Sequence, residues 1–597
     1  MTRTTGPGLF QPHTLALAIA LGISAPAQAI NFNIGEIEGQ FDSSLSIGAS
    51  WSMRSPDRDL IGPNNGGQGQ AQTGDDGRLN FKKGETFSKI FKGIHDLELK
   101  YGDTGAFVRG KYWYDFELKD ESRLFKDISD HNRKEGAKSS GAEILDAFLY
   151  HNYAVGDLPG TVRVGKQVVS WGESTFIGNS INSINPIDVA AFRRPGAEIK
   201  EGLIPVNMLY LSQSLTDRLS MEAFYQLEWD QTIIDNCGTF FSTADVAADG
   251  CDSGYHIGSP AIAPLQPIAA AFGQGFRVDS EGVILPRAGD RDARDSGQWG
   301  LALRWLGDET EYGAYFINYH SRTPIVSTQN AGLATLAALP GIIGTANGIA
   351  PGSGAGLAQS VMLGNGRYYL EYPEDIRLYG LSFSTTLPTG TAWAGEVSYR
   401  PNLPLQINTT DMTLSLLNPI APGTAPVAAG PGQDNVGYRR KEVTQVQTTF
   451  THFFDQVMGA GRFTLVGEIG MAHVGGLESR EDLRYGRDSL FGAYGFRGDT
   501  HGFVTSTSWG YRVRGIWEYS NVFAGVNLRP NVSWSHDVDG YGPNGLFNEG
   551  AKAVSFGVDA DYRNTYTASL SYTDFFGGKY NTAVDRDFLA LSFGVSF

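Results

Sequence analysis

The stretch that decides the fold is the end of the chain, Leu589-Ala590-Leu591-Ser592-Phe593-Gly594-Val595-Ser596-Phe597. Apolar residues occupy every second position, and the positions between them are small or polar. This two-residue period predicts a strand with lipid on one face and a polar interior on the other. A strand at the edge of a soluble sheet would show the same period. We also expect the terminal row of Phe593, Val595 and Phe597 to be the signal read by the barrel assembly machinery.

The same period recurs along the chain. Apolar residues alternate with serine and aspartate from Phe41 to Met53, and a second alternating run extends from Val108 to Glu117. Further runs lie at residues 219–229, 299–305, 393–399, 463–471, 509–519 and 554–562. Each run is about as long as a tilted strand that crosses a membrane.

Connection lengths give more discriminating evidence. Short links, at residues 102–105, 156–160 and 307–310 for example, alternate with long links such as residues 231–297 and 322–375. Outer-membrane barrels alternate short periplasmic turns with long external loops in this way. The pattern predicts an all-β transmembrane antiparallel barrel of about 18 strands, or as few as about 16, with both termini in the periplasm. A soluble sandwich or propeller would not alternate short and long links in this way. It would also not carry rows of Trp and Tyr on its outer faces.

Composition excludes several classes of protein. No internal stretch approaches the roughly 18 uninterrupted apolar residues that a spanning helix needs. The net charge of -17 argues against nucleic acid, which selects for basic surfaces. The mean hydropathy of -0.21 fits a soluble protein and equally fits a barrel with one polar face.

The N-terminal segment is predicted to be a signal peptide. Residues 1–29 contain Arg3, a short apolar core at residues 14–23 and the small-residue cleavage site Ala27-Gln28-Ala29. Export would leave one barrel domain, residues 30–597.

The two cysteines, Cys237 and Cys251, lie close together in one long link. In an oxidising compartment such a pair usually forms a disulfide. Closing a loop of about 15 residues would stabilise the fold by roughly 3 kcal/mol.

Motifs for catalysis are absent from the sequence. It contains no H-E-x-x-H, no phosphate-binding loop, no C-x-x-C and no nucleophile elbow. We therefore expect no enzymatic activity, no cofactor and no metal. The acidic turn Asp537-Val538-Asp539-Gly540 lacks the remaining ligands of a calcium loop.

The most unusual stretch is residues 163–206, where polar and charged residues mix with Trp, Phe and Ile. This composition predicts an ordered loop that satisfies its own hydrogen bonds and folds into the lumen as a constriction. An external loop packed on the rim is the alternative. The candidate constriction residues are Trp171, Glu173, Asn182, Asn185, Asp188, Arg193, Arg194 and Glu198.

Charged residues at inward positions of the strands form a second constellation. Their role is either to make cross-strand ion pairs that fill the interior or to bind a charged head group selectively. The candidates are Arg109, Lys111, Asp115, Glu396, Arg400, Glu468, Arg512 and Arg514.

A low-complexity segment, residues 331–358, lies inside a long external link. It is interpreted as a mobile loop, a short helix dipping into the pore or the lipid, or a partner contact.

Several motifs resemble the proteobacterial outer-membrane family catalogued as domain of unknown function 1302. They are GKQVVSWGES at residues 165–174, INPIDV at 184–189, RRPGAEIKEGLIPV at 193–206, GEVSYRPNLPLQIN at 395–408 and SHDVDGYGP at 535–543. The resemblance implies a possible periplasmic partner and an exporter of the resistance-nodulation-division type. The last hairpin, residues 581–597, is also weakly similar to long-chain fatty-acid transporter barrels.

These observations favour a barrel that passes or binds hydrophobic or amphipathic small molecules of lipid, terpene or steroid type. One alternative is a non-conducting outer-membrane component of an envelope export or assembly system, and another is a general polar porin. In each case the expected surroundings are outer-membrane lipid and lipopolysaccharide.

Overall fold

The computed structural model describes residues 30–492 and 499–597, so the expected signal peptide lies outside the described residues. Neighbouring strands pair in antiparallel order, and the first pairs with the last to close a barrel of 18 strands. The predicted barrel of about 18 strands is confirmed. The strands are β1 Ile37–Ser52, β2 Thr86–Tyr101, β3 Thr104–Asp115, β4 Ser140–Val155, β5 Leu158–Gln167, β6 Val206–Ser214, β7 Leu219–Gln226, β8 Trp299–Leu306, β9 Thr310–Tyr319, β10 Ile376–Thr386, β11 Ala392–Gln406, β12 Tyr438–Asp455, β13 Arg462–Gly475, β14 Thr507–Phe523, β15 Val526–Asp539, β16 Lys552–Tyr562, β17 Tyr566–Phe576 and β18 Phe588–Ser596.

The closing pair shows how the sequence period fixes the register. Leu45 lies opposite Val595, Ile47 opposite Phe593 and Trp51 opposite Leu589. A slip of one residue would put the apolar rows of the two strands on opposite faces and turn one of them inward, so the alternation specifies one register.

Short turns gather at one end of the barrel, together with the start of β1 and the end of β18. Gly102 and Gly156 have φ of 57° and 63° in two-residue turns, a conformation that follows the right-handed twist of paired strands. A short strand, Ile30–Ile34, folds back on β1 at this end.

Long connections at the other end carry the helices and six short strands. The helices are α1 Asp76–Asn80, α2 Phe116–Asp120, α3 Val189–Arg193, α4 Ile199–Gly202, α5 Gln266–Ala271, α6 Leu333–Ile349, α7 Gly354–Asn365 and α8 Thr409–Ser415. The short strands are His256–Ile257, Arg277–Asp279, Gly282–Ile284, Ile325–Gln329, Arg367–Glu371 and Asp434–Asn435. Segments of 3-10 helix lie in the long connections at Arg58–Leu60, Pro63–Asn65, Glu135–Ala137, Pro260–Leu265, Ser489–Phe491 and Pro543–Gly545, and a further one, Val457–Gly459, lies in the short turn between β12 and β13. None of the helices in the described ranges is long and apolar enough to span a membrane.

Two expectations about the long connections are decided by the structure. The expected strand at Phe116 and Glu117 is wrong, because the Asp115 carboxylate accepts the backbone N–H groups of Glu117 and Leu118 and starts α2. The predicted disulfide between Cys237 and Cys251 is present.

The low-complexity segment lies mostly in α6 and α7. These helices pack on an apolar cluster in the external loop layer that includes Leu339, Ile342, Val361 and Tyr368.

The outer face of the barrel carries two aromatic rows. On β8, Trp299 and Trp305 flank Leu301 and Leu303, and all four side chains are exposed. Six residues of strand separate the tryptophans by about 20 Å, close to the height of the apolar band of outer-membrane barrels. Contacts between neighbouring rings extend both rows around the barrel, as in Phe316–Tyr379 and Phe383–Trp393.

Candidate functional site

Residues 168–205, which connect β5 to β6, form an inner loop that lies against the interior wall of the barrel. The Trp171 side chain is only 1% exposed and packs between Phe224 on β7 and Tyr315 on β9. Its indole Nε1 donates a 2.7 Å hydrogen bond to Glu222. From this fixed point the loop divides into two lobes, which extend along the wall in opposite directions.

The first lobe, residues 170–185, runs from β7 to β13. Glu468, which is buried on β13, accepts the backbone N–H groups of Thr175, Phe176 and Ile177 at 2.9, 2.6 and 2.7 Å. Glu396 on β11 accepts those of Glu173 and Ile181. A buried carboxylate must be compensated by donors, and here the donors are the amides of the lobe.

Polar side chains on β11 and β12 complete this attachment. Gln445 donates to the carbonyl of Gly178 at 2.9 Å, Gln447 to that of Ile177 at 3.1 Å, and Arg400 to that of Asn179. The wall also leaves room for the lobe, because a Cβ atom at Gly470 would lie 2.7 Å from Ile177.

The second lobe, residues 186–204, turns toward β3, β2 and β18. Lys92 on β2 binds Glu201 at 2.6 Å and the carbonyl of Gly196 at 2.7 Å. Lys111 on β3 lies 3.2 Å from Asp188, whose carboxylate also caps α3 through the Ala191 N–H. Gly196 approaches β18 so closely that a Cβ atom would lie 2.7 Å from Ser592.

The two lobes leave one sector of the interior uncovered. Within residues 30–492 and 499–597, no hydrogen bond or ion pair joins the inner loop to β14, β15, β16 or β17. Inward residues there include the small, partly exposed residues Ser533, Ser555, Gly557 and Ser571. We call this sector, bounded by the lobes and β14–β17, the open side.

Exposed apolar groups lie on the two lobes, and cationic groups lie on the wall of the open side. Phe176 on the first lobe and Phe192 and Ile199 on the second are 40%, 41% and 74% exposed. On the facing wall, Arg514 and Arg529 have no ion-pair partner among the described residues, whereas Arg512 is paired with Asp537 at 2.6 Å.

A comparison with family models matches residues 11–597 to the family described as "Protein of unknown function (DUF1302)". The chain belongs to this family. The resemblance predicted from the motifs is therefore confirmed, and the similarity of the last hairpin to fatty-acid transporters stays a prediction. No curated protein matches the DUF1302 chain.

A comparison with solved structures finds distant similarity between this DUF1302 protein and several bacterial proteins. Acinetobacter baumannii OccAB1 has 10% identity and a TM-score of 0.40, over 96% of this chain and 98% of its own. Pseudomonas aeruginosa OccD3 has 9% identity and a TM-score of 0.38, over 97% and 96%. The outer-membrane channel DcaP of A. baumannii has 9% identity and a TM-score of 0.34, over 95% and 99%. Such identities carry no information about the lumen side chains.

The structure places the predicted constriction residues of this DUF1302 protein in two groups. Trp171, Asn185 and Asp188 hold the loop together, and Arg194 stacks on Trp113 while donating to the carbonyl of Gly136. The remaining four lie on the accessible surface of the loop. Glu173 is half-buried, and Asn182 donates a hydrogen bond to Ser170. Arg193 forms an ion pair with Asp235, and Glu198 forms one with Lys200.

The predicted lumen charges fall into three sets. Cross-strand pairs hold Arg109 to Asp96 and Arg512 to Asp537, and Asp115 caps α2 at the rim. The inner loop is held by Lys111, Glu396, Arg400 and Glu468. Arg514 alone of the eight lacks a partner in the described part of the chain.

Sequence reasoning missed several residues of the site. Lys92, Glu201, Gln445 and Gln447 hold the lobes, and Phe176, Phe192 and Ile199 are exposed on them. The inward parity of Lys92, Gln445 and Gln447 on their strands was the available signal.

Proposed function

We propose that this protein is an outer-membrane channel for amphipathic small molecules that carry an acidic head group, with the inner loop as its constriction. The open side carries this proposal. A loop held by hydrogen bonds on β7, β11, β12 and β13, and on β2 and β3, keeps its shape, yet the β14–β17 wall beside it stays accessible.

Membrane insertion is supported by the exposed aromatic rows and the apolar residues between them on the outer wall. We place the end with the short turns and both described termini in the periplasm, and the helical loops outside the cell. The terminal Phe597 would then lie where the barrel assembly machinery acts.

The chemistry of the open side supports the substrate class. Phe176, Phe192 and Ile199 offer apolar contacts at the edges of the lobes. Arg514 and Arg529 offer guanidinium groups that bind carboxylates well. Small-molecule sites commonly combine an apolar lining with a few placed polar groups. A fatty, terpenoid or steroid acid combines an apolar body, which suits the apolar contacts, with a carboxylate, which suits the guanidinium groups.

We place the outer mouth of this channel at a depression of about 390 Å³ in the external loops. Its lining includes Tyr255, Ile325, Thr409, Asp488 and Asn544, which come from five separate long connections of the barrel.

Flux into proteoliposomes tests the substrate class. We expect hexanoate to enter faster than hexylammonium, which has the same chain and the opposite charge. Arg514→Ala should reduce this preference several-fold, and Arg367→Ala, which removes the same charge from an external strand, should leave it unchanged. Equal hexanoate and hexylammonium flux in the wild type would contradict the acidic head group.

Deleting residues 174–194 tests the constriction. We expect the deletion to raise single-channel conductance in a planar bilayer several-fold. If both proteins fold but neither conducts, the alternative of a non-conducting export component, working with a periplasmic partner or a resistance-nodulation-division exporter, is favoured. High wild-type conductance without preference for apolar solutes would favour a general polar porin.

A further inference from the structure

Three buried carboxylates meet in the external loop layer, away from the lumen. Asp75 and Asp76 lie at the start of α1, in the connection between β1 and β2, and Asp245 lies in the connection between β7 and β8. One oxygen from each lies within 4.8 Å of the others. The three residues are 0%, 6% and 2% exposed, so water does not solvate their charge.

Two of these carboxylates keep an oxygen without a donor. Asp75 uses Oδ2 to accept the Gly62 N–H at 2.8 Å and the Asn65 side chain at 3.0 Å. Asp245 uses Oδ2 to accept the Asp76 N–H at 3.1 Å. The Oδ1 atoms of Asp75 and Asp245 are buried and have no hydrogen-bond partner in the described part of the chain. Leaving such a charged acceptor unpaired costs several kcal/mol.

The cations nearby do not balance this charge. Lys126 Nζ lies 2.9 Å from Asp76, and it is shared with Glu281 at 2.7 Å. His256 contacts Glu281, and Arg78 is committed to Asp585 at 3.1 Å. Burial raises the pKa of Asp75 and Asp245, and raises that of Asp76 to about 6, which is the direction expected when carboxylates lack sufficient positive charge.

We propose that Asp75, Asp76 and Asp245 bind a Ca²⁺ ion. The ligands would be Oδ1 of Asp75, Oδ1 of Asp245 and one oxygen of Asp76, while Lys126 stays on Glu281. An all-oxygen set suits a hard cation, and a site without nitrogen or sulfur ligands disfavours zinc and copper. Ca²⁺ accepts ligands at 2.3–2.6 Å in irregular geometry, so one ion can join oxygens up to about 5 Å apart.

Such an ion would join two long connections above the lumen. The β1–β2 connection supplies Asp75 and Asp76, and the β7–β8 connection, which also holds the disulfide, supplies Asp245. Lys126 brings in the connection between β3 and β4. Ca²⁺ would therefore fix the outer loop layer and leave the barrel wall unaffected.

Equilibrium dialysis with radioactive Ca²⁺ tests this site, on full-length protein refolded in detergent without lipopolysaccharide, which itself binds divalent ions. External calcium sites bind at about 10⁻⁴–10⁻³ M, so dialysis should extend to about 10 mM. We expect wild type to bind one ion more per chain than Asp75→Asn/Asp245→Asn. The control Asp217→Asn/Glu309→Gln, which removes two exposed acids from short turns at the other end of the barrel, should bind as wild type does.

Thermal unfolding gives an independent readout. Ca²⁺ should raise the midpoint of wild type and of the control relative to chelator, and leave that of Asp75→Asn/Asp245→Asn unchanged. In chelator the variant should be at least as stable as wild type, because it removes unpaired buried charge. If the double variant does not fold, Asp245→Asn alone serves. Equal Ca²⁺ binding by wild type and folded variant would overturn the site, and equal affinity for Mg²⁺ would overturn its assignment to calcium.

Discussion

The interior of the barrel differs between its two sides, although the strands pair in the same antiparallel way throughout. On β6 to β10, inward residues such as Met208, Ala302, Ile317 and Leu378 are fully buried against the inner loop. On β14 to β17, inward residues such as Ser533 and Ser555 are partly exposed and meet no part of that loop through a hydrogen bond. The position of the open side is therefore set by where the docking of one loop ends.

Aromatic residues of the first lobe give the largest contrast. Trp171 is 1% exposed, so Trp171→Ala should leave a cavity, remove the indole donor to Glu222 and reduce the free energy of unfolding by about 3–5 kcal/mol. Phe176→Ala, at an exposed edge, should change it by less than about 1 kcal/mol and raise conductance. Denaturant titration in detergent measures both, and equal losses would contradict the distinction between packed and open sides.

Glutamates on neighbouring strands give the next contrast. Glu468→Ala removes the acceptor of three backbone N–H groups, and hydrogen bonds to a charged group contribute about 1.5–3 kcal/mol each. We expect amides 175–177 to lose protection against hydrogen exchange. Glu518→Ala is the matched control, because Glu518 also points inward, on β14, and its side chain has no hydrogen bond or ion pair to another described residue. Unchanged protection in Glu468→Ala would mean that other contacts hold the lobe.

The arginines of the open side give the smallest expected effect. Arg512→Ala should leave the buried Asp537 carboxylate without its ion-pair partner, so the free energy of unfolding should fall measurably. Arg514→Ala removes a guanidinium without an ion pair, so stability should change by less than about 0.5 kcal/mol. Its effect should be a shift of the reversal potential toward cation selectivity, measured in a salt gradient. A stability loss as large as that of Arg512→Ala would show that Arg514 has a structural partner.

Much of the barrel wall could be predicted from sequence, because the two faces of each strand appear as a local alternation of apolar and polar residues. The alternation at residues 589–597 and its complement from Phe41 to Trp51 specify both the strands and their register. The prediction of strand at Phe116 and Glu117 was wrong because the Asp115 side chain caps a helix there, which ends the extended backbone of β3.

The site was less predictable, because its geometry depends on contacts between distant residues. Glu468 contacts Thr175 from 293 residues away, and no local pattern indicates that pairing. The predicted constriction also included residues that support the loop, such as Trp171 and Asp188, and omitted the exposed residues Phe176 and Ile199. The same holds for the proposed calcium site, where Asp245 lies far in sequence from Asp75.

The measurement that tests the two-sided interior most directly is thiol modification of single-cysteine variants during conductance recording. Both native cysteines are held in the disulfide. Ser533→Cys places a thiol on the open side, and Ser398→Cys makes the same substitution at a fully buried inward position that contacts the loop at Ser180. We expect a small charged thiol reagent to modify Ser533→Cys rapidly and reduce its conductance, and to leave Ser398→Cys unchanged. Equal modification of both, or blockade through Ser398→Cys alone, would contradict a path along β14–β17.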